Sequence, residues 1–310
     1  MDKRIAKKIF DATFGTLRAA HYSIRSLFHQ KMPTPDQSAI IDVAIPVIPK
    51  DLPTLPFCVE AVRRFIPHKI QNIYLVAPDT PATRQAAQSL GLIFIDETTI
   101  LPGSPNDIHI DRPDRQNRKG WIFQQFIKLS ARIGTAPDIL FIDADHILLK
   151  PHTFIATDGK RIFYASKESY FPYYDNIRTI TGQFPLHPFS FIAHKMLFNR
   201  KALGELQSTL LSSPLARKIN AQQPNTCTDW KEIILHSLDW DYSSPFSEFE
   251  LYPHLLPSAS RSTILWRQIA LGTLPFSGSI KNTPPSDIIE FLSSKYPNAL
   301  SVTFPAYQRK

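Results

Sequence analysis

The sequence predicts an α/β domain with a mixed, mostly parallel sheet and helices on both faces. Three observations predict it. From Ile40 onward, apolar strand-like runs alternate with helical stripes. The junctions between them carry helix start and stop residues, and no Gly/Ser-rich linker, charge block or repeat divides the 310 residues. With 43% hydrophobic and 20% charged residues, the chain can bury a full core and falls outside the disordered, collagenous and membrane-spanning classes. One large domain over residues 39–310, preceded by an arm over 1–38, is the organisation expected.

The arm places Lys3, Arg4, Lys7, Lys8, Arg18 and Arg25 between Ile5, Ile9, Phe10, Phe14, Leu17, Ile24, Leu27 and Phe28, near the 3.6-residue period of an amphipathic helix. Two uses are open over residues 2–28: contact with an anionic membrane surface, or packing on the domain's own flank. Ile40 to Ile48 then reads as a buried strand. Thr54 to Ile66 reads as a helix with Leu55, Cys58, Val62 and Phe65 on one face, and Ile73 to Ala77 as a second strand. Thr80 caps a helix that has Pro81 in its first turn and stops at Gly91, and Leu92 to Ile95 is a third strand. Arg118 to Ile133 aligns Ile122, Phe126, Leu129 and Ile133 before Gly134. Ile139 to Ile142 is an apolar strand that runs into Asp143 and Asp145.

Beyond Pro151 the alternation weakens. Arg161 to Ser166, Phe189 to Phe198, Thr263 to Trp266 and Leu300 to Phe304 read as strands. Arg200 to Leu211, Asp229 to Leu238 and Pro245 to Leu256 read as helices, with Asp229 as a cap. Glu168 to Pro188, rich in Tyr, Phe and Pro, reads as a long ordered loop.

A net charge of +8 and a pI near 9.4 favour anionic partners such as nucleotide phosphates or anionic lipid. Nucleic acid is not expected, because no Lys/Arg stripe interleaves with aromatics. The two cysteines, Cys58 and Cys227, exclude a disulfide framework and a cysteine zinc site. The longest apolar stretch, Ala39 to Pro49, is too short to cross a bilayer, and no secretory signal is visible. A cytoplasmic location, peripheral to the inner membrane if the arm binds lipid, is the expectation.

In a parallel sheet, ligands sit beyond the carboxyl ends of the strands, which is where Asp143 and Asp145 fall. In an extended segment residues two apart share a face, so both carboxylates are expected to converge while Ala144 points away. Converging carboxylates repel, and a shared cation relieves them. Hard oxygen donors select Mg2+ or Mn2+, which bridge to substrate phosphates. The bland alternative makes Asp143 a strand-end cap and Asp145 a solvated turn residue.

The run Ile139-Leu-Phe-Ile-Asp-Ala-Asp-His-Ile-Leu-Leu-Lys-Pro151 resembles the D-x-D strand of glycosyltransferases of the GT-A fold. Gly120–Leu129, Phe246–Tyr252 and the opening Ile41–Pro46 with Lys50-Asp51 resemble segments of a bacterial group of uncharacterised GT-A-like proteins. The resemblance covers Ile40 to about Tyr252. It implies a nucleotide-sugar donor, a glycan or lipid-linked acceptor, and a role in surface polysaccharide synthesis. Asp145 would then coordinate Mn2+ or Mg2+ on the donor diphosphate, Asp143 would contact the ribose or the metal, and Pro46, Lys50 and Asp51 would cradle the nucleoside. His146 stands where an apolar residue is more usual.

Trp121, Gln124, Gln125 and Lys128 fall on the helix face opposite the apolar stripe. Lys128 could meet a phosphate and Gln125 a sugar hydroxyl there, or both could simply be solvated. His194 is the candidate to complete a metal shell, against a plain core role. Glu248 and Glu250 are candidates for the carboxylate base of an inverting transferase, although residues two apart on a helix diverge. Other readings remain: a haloacid-dehalogenase-type phosphatase, a nucleotidyltransferase, or a sugar- or membrane-binding protein of this fold without catalysis. The phosphatase usually carries its acidic pair on the opening strand, and the nucleotidyltransferase usually has a Gly-rich phosphate loop, which the Ile45–Asp51 turn lacks.

Overall fold

Four parallel strands form the centre of the large sheet because each is an apolar run and a helix between successive strands returns the chain to the same end of the sheet. The computed structural model describes residues 5, 8–27, 32–166, 168, 170–185, 190–224, 227–256, 264–266, 269–271 and 283–304. Strands β1 (Ile40–Pro46), β2 (Lys69–Ala77), β3 (Ile93–Asp96), β4 (Asp138–Ile142) and β7 (Lys195–Asn199) make a sheet in the order β3-β2-β1-β4-β7. The first four are parallel, and β7 runs antiparallel to β4. A three-stranded sheet joins β5 (His146–Leu148), β10 (Ser301–Thr303) and β9 (Ile269–Leu271), and β6 (Phe163–Ala165) pairs with β8 (Ile264–Trp266).

Ten α-helices follow in chain order: α1 (Thr16–Leu27), α2 (Leu55–Phe65), α3 (Pro81–Ser89), α4 (Lys119–Leu129), α5 (Phe171–Thr181), α6 (Arg200–Leu211), α7 (Pro214–Gln222), α8 (Trp230–Ser237), α9 (Glu248–Leu255) and α10 (Pro285–Lys295). They cover both faces of the sheet. Alternation along β4 sends Leu140 and Ile142 toward α2 and α10, and Ile139 and Phe141 toward α4, α6 and α8. The expected mixed, mostly parallel sheet is therefore present. Local signals did their part: Thr80 forms a reciprocal capping box with Thr83, Asp229 accepts the Lys231 N–H, and α6 spans the residues expected of it.

Two expectations are corrected. The aromatic stretch after Glu168 is not a loop: Phe171–Thr181 is helical, with Pro172 in the first turn, where proline costs nothing, and Gly182 at φ 76° as the stop. Phe189–Phe198 is not a continuous strand. Among its described residues, β7 begins only at Lys195, because His194 takes the left-handed conformation at φ 58°.

The register of β4 against β1 is fixed from below by a buried charge. Asp42, fully buried on β1, accepts the N–H groups of Thr135 and Ala136. Gly134 lies between, at φ 70°, and a Cβ there would stand 2.2 Å from the Asp42 carboxylate, so glycine is required. Arg200 closes the same loop by donating to the carbonyls of Ala131, Ile133 and Ala136.

The N-terminal arm packs on the domain through Phe10 as well as through its Pro33–Asp36 end, where the Thr34 carbonyl accepts the Thr157 N–H. Phe10, in a π-helical turn over Phe10–Gly15, packs its ring 5.3 Å from Phe171 and 5.4 Å from Tyr174. Among the described residues, no helix is long and apolar enough to cross a membrane.

At the end of β3, burial and then the charge of Asp96 push the Glu97 carboxyl up to about 7. A carboxyl raised in the fold costs nothing while both folded and unfolded forms are protonated. It destabilises increasingly as pH climbs from its ordinary value to about 7, and fully above. Glu97→Gln should therefore raise stability by about 2 kcal/mol at pH 8 and leave it unchanged near pH 4. Urea unfolding at the two pH values measures this, and an equal effect at both would refute it.

Candidate functional site

The strand order places the site. From β1 the chain steps outward to β2 and β3, then crosses to the other side as β4, so a crevice opens between the carboxyl ends of β1 and β4. Pro46 ends β1, and the Pro49–Asp51 turn follows, with Lys50 exposed and the Asp51 carbonyl bonded to Thr54. Asp143 and Asp145 follow β4 at the same end. A groove of about 440 Å³ lined by Arg63, His68, Gln71 and Asn72 lies at the opposite, amino end of β2 and β3, away from this chemistry.

Asp143 and Asp145 are not in extended chain. The His146 N–H donates to the Asp143 carbonyl at 2.9 Å, so Asp143–His146 is a tight turn. The turn links β4 of the large sheet to β5 of the small one, and the Phe304 N–H closes onto the Asp145 carbonyl. Ala144 turns into the core while Asp143 and Asp145 stay part-exposed. Both carboxylates act electrostatically on His194 and on the buried Cys58 thiol, which burial and then the charges of Asp145 and Asp143 push up. The pair is thus carried on a turn rather than on an alternating strand.

Lys128 of α4 is buried, which removes the solvated alternative. Its Nζ lies 2.9 Å from Asp143 Oδ1 and 2.7 Å from Glu248 Oε1, above the Phe249 ring. Burial opposes charge on Lys128, but the two carboxylates outweigh it and raise its pKa. Burial likewise opposes charge on Asp143, and Lys128 and His194 outweigh it, so Asp143 stays ionised far into acid. Gln125, one turn earlier and also buried, accepts the Glu248 N–H at 3.1 Å. Trp121 is half-buried beneath the Arg118 guanidinium.

Glu248 and Glu250 diverge as helical geometry requires. Glu248 belongs to the Lys128 bridge. Glu250, 1% exposed, accepts from Tyr174 Oη, Ser190 Oγ and the Phe191 N–H, and lies 3.2 Å from His254 Nε2. A carboxylate enclosed by that many partners cannot take a proton from an acceptor, and Glu248 is spoken for by Lys128. The geometry offers neither as the base expected from sequence.

His194 grips Asp143 twice: its carbonyl accepts the Asp143 N–H at 3.0 Å, and its Nδ1 lies 3.2 Å from Oδ2. Burial pulls its pKa down, but the bond to Asp143 and the charges of Asp143, Glu168 and Asp145 raise it overall. The geometry gives His194 to Asp143 as a hydrogen-bonding partner. Among the described residues, no three His, Cys, Asp or Glu side chains are gathered to hold a metal ion. The donor set still suits Mg2+ or Mn2+, which take one or two carboxylates and complete their shells with phosphate oxygens and water.

A family model described as a family of unknown function (DUF6492) matches residues 41–269. The chain belongs to that family. A search of curated proteins finds no match for this DUF6492 chain. Solved structures similar to it include mouse xyloside xylosyltransferase 1, at 11% identity over 88% of this chain and 99% of that one, with a TM-score of 0.43. The bifunctional glycosyltransferase WbbM is 11% identical over 88% of this chain and 47% of that one, with a TM-score of 0.41. Glucosyl-3-phosphoglycerate synthase from Mycobacterium tuberculosis, solved with Mg2+ and UDP, is 18% identical over 45% of this chain, with a TM-score of 0.25. The chain spans about two fifths of that synthase's length, the match covering 39% of it. All three are glycosyltransferases or synthases by description; at these scores they carry no argument about chemistry.

Sequence reasoning missed a second buried lysine behind the turn. Lys195, 1% exposed, places Nζ 3.0 Å from His146 Nε2 and 3.0 Å from Ser301 Oγ, and burial lowers its pKa to about 7. His146 in turn bonds Thr303 Oγ1 through Nδ1. That gives the unusual histidine its place: it fastens the acidic turn to β10. Nothing in local sequence signals this, since the partners are 49 to 157 residues away.

Removing Lys128 leaves Asp143 and Glu248 as facing, uncompensated charges. Lys128→Ala should cost about 3–5 kcal/mol in urea unfolding at pH 7, and Lys128→Ala with Glu248→Gln should recover part of it. An unchanged midpoint in the single variant would show the bridge to be incidental.

Proposed function

We propose that the chain is a metal-dependent glycosyltransferase moving a sugar from a nucleotide-sugar donor to a glycan or lipid-linked acceptor, in the synthesis of a bacterial surface polysaccharide. The observation that carries the reading is the Asp143–Asp145 turn standing at the crevice between the ends of β1 and β4, with a fixed cation on Asp143. Asp145 would hold Mg2+ or Mn2+, which would supply neutralisation of charge on the departing nucleoside diphosphate. Lys128 and His194 hold Asp143 ionised and oriented beside it, toward the metal or the ribose. The Pro46–Asp51 segment, across the crevice, holds the nucleoside. With Glu248 bridged to Lys128, its part is to position that lysine.

A hydrolysis screen with UDP-, GDP- and CMP-sugars, with and without manganese, tests this. Sugar release should need both the metal and Asp145, falling at least about 100-fold in Asp145→Ala. Release of phosphate from simple phosphoesters would favour a phosphatase, and metal-dependent nucleotide binding without turnover would favour a binding protein.

The arm supports a cytoplasmic enzyme lying against the inner membrane. Phe10 docks on α5, yet Ile5, Ile9, Leu17 and Ile24 remain exposed, Leu17 at 67%. Two α-helical turns span about seven residues. The π-helical turn adds one, keeping Ile9 and Leu17 on one side. Residues 1–31 hold seven Lys/Arg against two Asp, suiting an anionic bilayer. Sedimentation with anionic vesicles should fall when Ile9 and Leu17 are both changed to Ser, and unchanged sedimentation would end the membrane assignment.

A further inference from the structure

Arg118, just before α4, is an arginine without a carboxylate. Its neighbours have found theirs: Arg112 pairs with Asp114 and Asp241, and Arg115 with Asp114. Arg118 instead donates from Nη2 to Ser244 Oγ at 2.8 Å, and its guanidinium carbon stands 4.3 Å from the centre of the Trp121 ring. Its Nε is buried with no hydrogen-bond partner. The charged or ionisable groups that act on it are Tyr173, Tyr170 and Arg115, and burial, the largest influence, lowers its pKa. Seven residues along, on the same side of the helix, the Gln125 Nε2 is also buried with no partner. Two buried N–H donors on one helix face lack an acceptor, in a protein whose buried donors are otherwise mostly satisfied.

The surroundings say what kind of acceptor fits. Trp121 on one side, and Tyr170 and Tyr173 packed edge to face at 4.9 Å on the other, offer flat surfaces of the sort that hold sugar rings. Ser244 bonds Arg118 and also lies close enough to Tyr173 to act on its hydroxyl. Tyr173 feels the charges of Glu168 and Glu248, so the cluster adjoins the Lys128–Asp143 bridge. It is not the same place: ten helical residues separate Arg118 from Lys128, about 15 Å along the axis. A part-exposed guanidinium that no carboxylate neutralises among the described residues, stacked on indole, recognises a planar or tetrahedral oxyanion by charge-assisted hydrogen bonds.

We propose that Arg118, with Ser244 and Trp121, forms an oxyanion subsite that takes a carboxylate or phosphate group carried on the acceptor. That the ligand is an acceptor rests on the transferase reading; that the site prefers an anion does not.

Calorimetric titration of the full chain with methyl glucuronide, methyl glucoside 6-phosphate and methyl glucoside separates the two sources of negative charge from the neutral ring. One anionic probe should bind about tenfold or more tightly than methyl glucoside. Arg118→Gln should erase that preference while leaving UDP affinity in manganese and the melting temperature unchanged. Arg118→Lys, which keeps the charge but not the fork, should retain only part of it. Should Arg118→Gln fold poorly, Ser244→Ala is the substitute and should weaken the anionic probe alone. Equal binding of all three probes, failure of all three to bind, or a preference that survives Arg118→Gln overturns the subsite. UDP binding without anion preference removes the subsite and leaves the transferase reading standing. Anion preference without UDP binding does the reverse.

Discussion

The carboxyl end of the sheet is organised around one buried ammonium group. Lys128 lies between Asp143 of the turn after β4 and Glu248 at the start of α9, and so ties α4, the large sheet and α9 together at a single atom. A lone charge buried there would be untenable, and so would either carboxylate. Together they fix a constellation that apolar packing could not orient. The direction in which Asp143 points, the seat of His194 and the approach of Asp145 all follow from that contact.

A built-in cation alters how the acidic pair works. Asp143 arrives with a buried ammonium group on one oxygen and the His194 ring on the other, so its carboxylate is held before any ligand arrives. The same reasoning removes Glu250 from the chemistry, since its oxygens are consumed in fixing α5 and the Ser190–Phe191 segment to α9.

What could be read from the sequence was whatever depends on neighbours in the chain. Period-two and period-3.6 patterns located the strands and most helices, Thr80 and Asp229 announced their caps, and the apolar run into Asp143 marked the crevice. Three features escaped because they depend on distant residues. Lys128 and Gln125 look like a solvated face until Glu248, more than 100 residues on, covers them. His194 adopts its left-handed backbone because Asp143 engages it from both sides, and the strand pattern around it hides that. Helix α5 is masked by aromatics and Pro172, since its stability comes from packing under α9 rather than from helix-forming residues. The acidic pair itself was found by an argument from extended geometry that the turn replaces.

The turn also sits on a seam. Its outgoing strand pairs with residues 301–303, and the Asp145 carbonyl is closed by the Phe304 N–H, 159 positions further along. Contacts so distant in sequence form late, because the long intervening loop must first be closed. During synthesis the parallel sheet can therefore assemble well before the acidic pair has its second wall. A growing chain would carry the scaffold long before the acidic turn is enclosed, which happens only as β10 docks.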